Sequence, residues 1–261
     1  MISLETLDAR RIRGLLFDLD DTLTTRGRLS AAAYAAMERL HGAGRIVVPV
    51  TGRPAGWCDS IARLWPVDAV IGENGAFYFW HDAASAKLER RYHDSREQRE
   101  ANRARFAQIA ERILREVPGS AISADQPYRE TDLAIDYRED VPALPLESAE
   151  EIARWMRQSG LTAKISSIHV NGWFGQYDKL GMALRMLGER FALDPQAAAQ
   201  SIAFVGDSPN DAPMFDYFVH SIGVANVLQF RGRLASAPRY VTRAESGAGF
   251  VEVVEHLLAS P

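Results

Sequence analysis

Leu15-Leu16-Phe17-Asp18-Leu19-Asp20-Asp21-Thr22 is the stretch on which the reading of this chain turns. Leu15 to Phe17 is short and apolar and follows Gly14, the pattern of a strand buried on both faces of a parallel sheet. Asp18 then falls at the carboxyl end of that strand, where open α/β sheets bind ligands. A charge in such a place requires a cation or hydrogen-bonding partners. Mg2+ suits it, because that ion prefers hard oxygen ligands and takes only one or two protein carboxylates besides substrate phosphate. The same carboxylate can attack phosphorus, which divides one difficult displacement into two. Asp20 lies close enough to act as general acid and then general base. Thr22 either bonds the phosphoryl group or holds the loop. Near the other end, Phe204-Val205-Gly206-Asp207-Ser208-Pro209-Asn210-Asp211 repeats the plan of an apolar strand running into carboxylates.

Four strings in order carry a family resemblance. Asp18, Asp20 and Thr22 follow the first strand. Thr51 ends Ile46-Val47-Val48-Pro49-Val50, Lys179 opens a helix-like stretch, and Gly206-Asp207 precedes Asn210-Asp211. Together they resemble the haloacid dehalogenase superfamily of phosphohydrolases over nearly the whole chain. That resemblance implies Asp18 as nucleophile and metal ligand, and Asp20 as acid/base that also offers its backbone carbonyl to the metal. It implies Asp207 as a further ligand, with Asp211 and Asn210 in support. Thr51 and Lys179 would hold phosphate oxygens, and Arg53 would contact substrate. Position 21 is Asp where many members have Gly, which suits a residue tolerant of unusual backbone angles. Gly175 stands one residue further from Lys179 than the usual spacing, but of Lys87, Lys164 and Lys179 only the last precedes an amphipathic stretch.

Simpler roles compete with these. Asp211 and Asn210 also suit the cap of the following helix. Thr51 also suits a hydroxyl bonding its own loop, and Arg53 an ordinary surface arginine. Cys58 is the single cysteine, which excludes an internal disulfide, and it reads as a small apolar residue. The histidines show no zinc-type spacing. With 261 residues and a formal charge of −4, the chain has no basic footprint for nucleic acid. No apolar run approaches the ~20 residues of a membrane span, and the charged residues 1–13 lack an apolar signal region, so the expected compartment is the cytoplasm.

Element by element, the pattern predicts an α/β, doubly wound parallel-sheet core with an inserted α+β cap domain. Ser30 caps a helix stopped by Gly42 and Gly44; a strand over 45–50, a helix over 57–64 and a strand over 69–71 follow. The rhythm then changes. A hairpin over 76–80 and 88–92, a helix with a Ser95/Gln98 capping box and a strand over 133–137 come next. A second capping box at Ser148/Glu151 and two short strands over 161–170 complete the insertion. The expected division is a core of 1–79 and 174–261 with an inserted cap of 80–173. This order resembles the type IIB, Cof-like members, which include sugar-phosphate phosphatases and phosphomannomutases. The core sets the phosphate chemistry and the cap reads what is attached to it.

Within the cap, strand alternation puts Ser167, His169 and Asn171 on one face, as substrate contacts or as a solvent-facing surface. Arg129, Glu130 and Asp132 are further candidates. The Arg and Glu run from Arg96 to Arg105 reads as a solvated helix face. The expectation is a Mg2+-dependent phosphomonoesterase for a small phosphorylated metabolite, a sugar phosphate first. A phosphomutase and a non-catalytic binding protein on the same fold are the alternatives. His169 and Asn171, being uncharged, favour sugar hydroxyls over the second phosphate that a mutase must grip.

Overall fold

The computed structural model describes residues 1–166 and 168–259; Ser167, one of the expected cap-face residues, lies outside them. In chain order the strands and helices are β1 (Ile2–Ser3), β2 (Gly14–Phe17), α1 (Ala31–Gly42), β3 (Ile46–Pro49), α2 (Ala55–Leu64) and β4 (Val70–Gly72). Then come β5 (Phe77–Asp82), β6 (Lys87–Tyr92), α3 (Arg96–Glu116), β7 (Ala121–Ile122), β8 (Asp132–Asp136), α4 (Leu146–Gln158), β9 (Thr162–Ile165) and β10 (His169–Trp173). The chain closes with α5 (Lys179–Phe191), α6 (Pro195–Ser201), β11 (Ile202–Gly206), α7 (Ala212–Tyr217), β12 (His220–Gly223), β13 (Tyr240–Val241) and α8 (Ser246–Ala259).

Among the described residues the central sheet has six strands in the order β1-β13-β12-β11-β2-β3, every pair parallel. Side chains alternate across it. Leu15, Phe17, Val47 and Val205 pack into a cluster with residues of α1, α2 and α8, while Leu16, Val48 and Phe204 pack oppositely with α5 and α7. Both faces of β2 are therefore dry, and each fully buried Leu or Phe contributes about 1.5–3 kcal/mol. Ser30 caps α1 through the Ala33 N–H, as expected.

The insertion differs from the expectation in its details. The hairpin β5–β6 forms, but β5 pairs with β4, and its aromatic residues join the two core clusters. A separate apolar cluster begins at Phe106 and ends at Phe174, under a four-stranded antiparallel sheet ordered β7-β8-β10-β9. Ser95 caps α3, but Gln98 turns its amide to Asn102 instead of completing a capping box. Among the described residues Ser148 caps nothing: α4 starts at Leu146 behind Pro145, whose fixed φ suits a helix entry, so the N-cap falls three residues earlier than the Ser/Glu pattern suggests. No described helix is long and apolar enough to cross a membrane.

Candidate active site

β2 and β11 are neighbours in parallel register, with Phe17 opposite Val205, so Asp18 and Asp207 leave the sheet side by side. The Asp18 N–H donates to the Val205 carbonyl at 2.9 Å, which fixes the exit angle. The loop beyond, Leu19–Leu23, winds as a single wide turn with Asp21 at φ 55, the tolerance expected of a residue standing where glycine is common.

Lys179, the first residue of α5, is buried and donates to Asp18 Oδ1 at 2.7 Å and to Asp211 Oδ1 at 3.1 Å. Asp178 caps that helix through the Gly181 N–H, and so aims Lys179 at the strand ends. Asp211 makes no side-chain cap on α7, the helix that follows it, but braces the residues before it and meets Lys179 at once. Its second oxygen accepts from the Asp207 N–H and closes a capping box with Ser208, while its first faces Lys179. Ligand oxygens of Asp18, Asp207 and Asp211 all lie within 4.8 Å of one another.

Thr22 donates to Asp207 Oδ1 at 3.1 Å, so it braces a carboxylate. Asn226, in the turn after β12, donates to the other Asp207 oxygen at 3.1 Å and to the Asp21 carbonyl at 2.9 Å. Sequence reading passed over Asn226; its one signal is a position just past another strand end of the same sheet. Asn210 accepts from the Ser208 hydroxyl at 2.6 Å and joins no carboxylate pair. Thr51 is fully buried and its hydroxyl oxygen accepts from the Arg53 N–H at 3.0 Å.

Arg53 is no surface arginine. Its guanidinium forks onto Asp20 at 2.8–3.1 Å, lies 3.5 Å from Glu139 of the insertion and stacks over Trp57. His169 sits 2.9 Å from Glu139 and 3.2 Å from the Ser123 hydroxyl, and Asn171 donates to Asp132 at 2.9 Å. Both are buried, so the expected polar face does not look out to solvent; His169 Nε2 and Asn171 Nδ2 are the atoms these contacts engage.

The insertion is fastened to the core beside this site. Arg129 donates to the Gly52 carbonyl and pairs with Asp125 and Asp132. Glu73 accepts from the Ala55, Glu130 and Thr131 N–H groups and from the Thr131 hydroxyl.

Charge in the cluster is unbalanced. Burial, then the neighbouring Asp211 and Asp20, push Asp18 up to about 7 against the pull of Lys179. Burial and the nearby Asp211 and Asp18 carry Asp207 well above the carboxylate range. Burial works against the Lys179 charge, yet Asp18 and Asp211 outweigh it and hold its pKa above that of an ordinary lysine. Three carboxylates facing one ammonium leave an excess of negative charge on hard oxygen donors, which a divalent cation fits.

A doubly wound sheet with an acidic, cation-fitting cluster at its strand ends and an inserted layer fastened beside it is the setting of a phosphate-handling hydrolase. The sequence pattern of the haloacid dehalogenase-like hydrolases matches residues 15–108. A phosphoglycolate phosphatase of Pyrobaculum neutrophilum is 30% identical over 252 residues, covering 94% of this chain and 95% of its own. One of Methanothrix thermoacetophila is 25% identical, covering 95% and 98%. A Thermoplasma acidophilum structure shares the fold at a TM-score of 0.72 and 20% identity, over 95% of this chain and 98% of that one. The sucrose-phosphatase of Synechocystis does so at 0.64 and 16%, over 94% and 98%. The chain belongs to the haloacid dehalogenase superfamily, in its Cof-like group, and is a phosphatase acting on phosphorylated substrates. Phosphatases of this superfamily are generally metal-dependent, and the carboxylate cluster accords with that.

Proposed function

We propose that the chain hydrolyses a small phosphomonoester through an aspartyl-phosphate on Asp18, with Mg2+ held by Asp18, Asp207, Asp211 and the Asp20 backbone carbonyl. The observation that carries this reading is the division of labour on Asp18. One oxygen is bound by Lys179, while the other accepts no hydrogen bond among the described residues. That oxygen is free to attack phosphorus as the bond to the leaving oxygen breaks, and Asp20 supplies the leaving group's proton. Water then attacks the phosphoryl group, returns a proton to Asp20 and frees Asp18 with inorganic phosphate. Lys179 and Thr51 hold phosphate oxygens throughout. The divalent ion supplies neutralising charge for the phosphoryl group among the three carboxylates.

Residues 80–173 act as the cap in this reading, with the hairpin as a stalk. The separate apolar cluster from Phe106 to Phe174 supports that division. For the substrate, the sugar-phosphate expectation came from the type IIB resemblance and from His169 and Asn171, of which His169 Nε2 and Asn171 Nδ2 are engaged by Glu139, Ser123 and Asp132. The shared name of the curated relatives favours a short phosphorylated acid of the phosphoglycolate kind. The test is phosphate release with Mg2+ from phosphoglycolate, hexose phosphates and an aryl phosphate, repeated with Asp18→Asn. Turnover should vanish in a folded Asp18→Asn chain, because the amide is nearly isosteric and a very poor nucleophile. Wild-type rates in that variant would end the mechanism.

A further inference from the structure

The cap sheet has one apolar face and one polar face. Leu133, Ile135, Ala163 and Val170 join the insertion's own cluster with α3 and α4. Asp132, His169, Asn171 and Trp173 alternate with them and point the other way. That second face looks at the core: Trp173 packs into a core cluster, and His169 reaches Arg53 by way of Glu139. Lys164 on β9 stands directly opposite Asn171 on β10, so its side chain leaves the sheet on this same core-facing side.

Lys164 is half-buried, and among the described residues it enters no ion pair and no side-chain hydrogen bond. The neighbouring cations differ. Arg53 is committed to Asp20 and Glu139, Arg129 to Asp125 and Asp132, and Lys179 to Asp18 and Asp211. Lys179 and Asp178 at the start of α5, with Asp211, are near enough to act on its charge, and burial, then the Lys179 charge, draw its pKa below the ordinary lysine value. A partly desolvated ammonium without a counter-ion is unfavourable unless an anion arrives to meet it.

On the proposed reading Lys179 meets the phosphoryl group, so a second, unpaired cation on the core-facing side of the cap sheet suits a second anionic group on the same small molecule. We propose that Lys164 is a specificity residue that binds the distal carboxylate of the substrate, so that the preferred class is a short phosphorylated carboxylic acid and not a neutral sugar phosphate. This rests on the hydrolase reading above and extends it to the leaving group.

The experiment compares kcat/KM for phosphoglycolate and for ethyl phosphate, which matches it in length but lacks the carboxylate, using the whole chain with Mg2+. Wild type should favour phosphoglycolate, and Lys164→Met should lower that ratio by about tenfold to a hundredfold, the value of one charge-assisted hydrogen bond. Lys164→Arg should keep most of it. Because the readout is a ratio on one enzyme sample, a variant that folds poorly lowers both numbers together and leaves the ratio intact. A wild-type ratio near one, or a ratio unmoved by Lys164→Met whether or not both rates fall together, overturns the proposal. A wild-type chain that releases phosphate from neither ester nor from an aryl phosphate would fail the hydrolase reading itself.

Discussion

Arg53 grips Asp20 through two nitrogens, Nε and one terminal amino group, at 2.8–3.1 Å. The proposed acid/base is thus oriented by a rigid fork whose remaining nitrogen faces Glu139 of the insertion. A lysine would keep the charge and lose the fork. Arg53→Lys should lower kcat by about tenfold or more, with a smaller change in KM, since proton delivery depends on placement. Steady-state kinetics on an aryl phosphate decide it, and an unchanged kcat would show that the fork is only structural.

The cluster of Asp18, Asp207 and Asp211 carries the metal expectation. Activity should disappear in EDTA and return with Mg2+, whereas Ca2+ should inhibit, because its larger and looser coordination would misplace the attacking oxygen. Undiminished phosphate release after exhaustive chelation would contradict the ligand assignment.

His169 gives a pH signature. Burial, and then the Arg129 charge, lower its pKa from 6.5 to about 4. Between those values the unfolded chain binds the proton and the folded one does not, so this group's contribution is full above pH 6.5 and is lost as pH falls toward 4. Over that window wild type should lose about 3 kcal/mol of stability relative to His169→Gln, at 1.4 kcal/mol per unit. Urea unfolding of both proteins measures the difference. Parallel profiles would mean that His169 takes up its proton in the fold.

Gly75 tests how Lys179 is positioned. Its φ is +102, and a Cβ there would lie 2.0 Å from the Asp178 carbonyl oxygen and 2.8 Å from the Lys179 backbone nitrogen. Gly75→Ala would push against the first turn of α5 and pay twice, in backbone strain and in displacement of the ammonium. It should cost about 1–3 kcal/mol of stability, and activity should fall by more than that loss of folded protein explains. Thermal unfolding together with kcat on folded material separates the two, and retained kcat would show that α5 has room to shift.

The carboxylates were legible because each follows a short apolar run that can only be a doubly buried strand, and the register of β2 against β11 brought them together as the pattern implied. The inserted layer was harder. Alternation along residues 166–173 places His169 and Asn171 on one face, but it cannot say whether water, a helix or the core lies opposite. That is decided by partners distant in sequence, such as Glu139 and Asp132. Lys164 escaped notice for the same reason: its importance comes from the strand beside it and not from its own neighbours in the chain. The Ser148 motif misled because a capping pattern is local, and the helix already enters behind Pro145.

The parallel pairing of β2 with β11 also orders events during synthesis. One edge of β2 is covered early by β3, but its other edge waits for a strand near the far end of the chain; Thr22 and Asp207, which brace each other, are 185 residues apart. Until that late segment emerges, the Asp18 carboxylate has Asp20 near it but neither Asp207 nor Asp211. Asp207, Asp211 and Lys179 join it only when the last third of the polypeptide docks, so on the proposed mechanism a slow long-range closure completes the site.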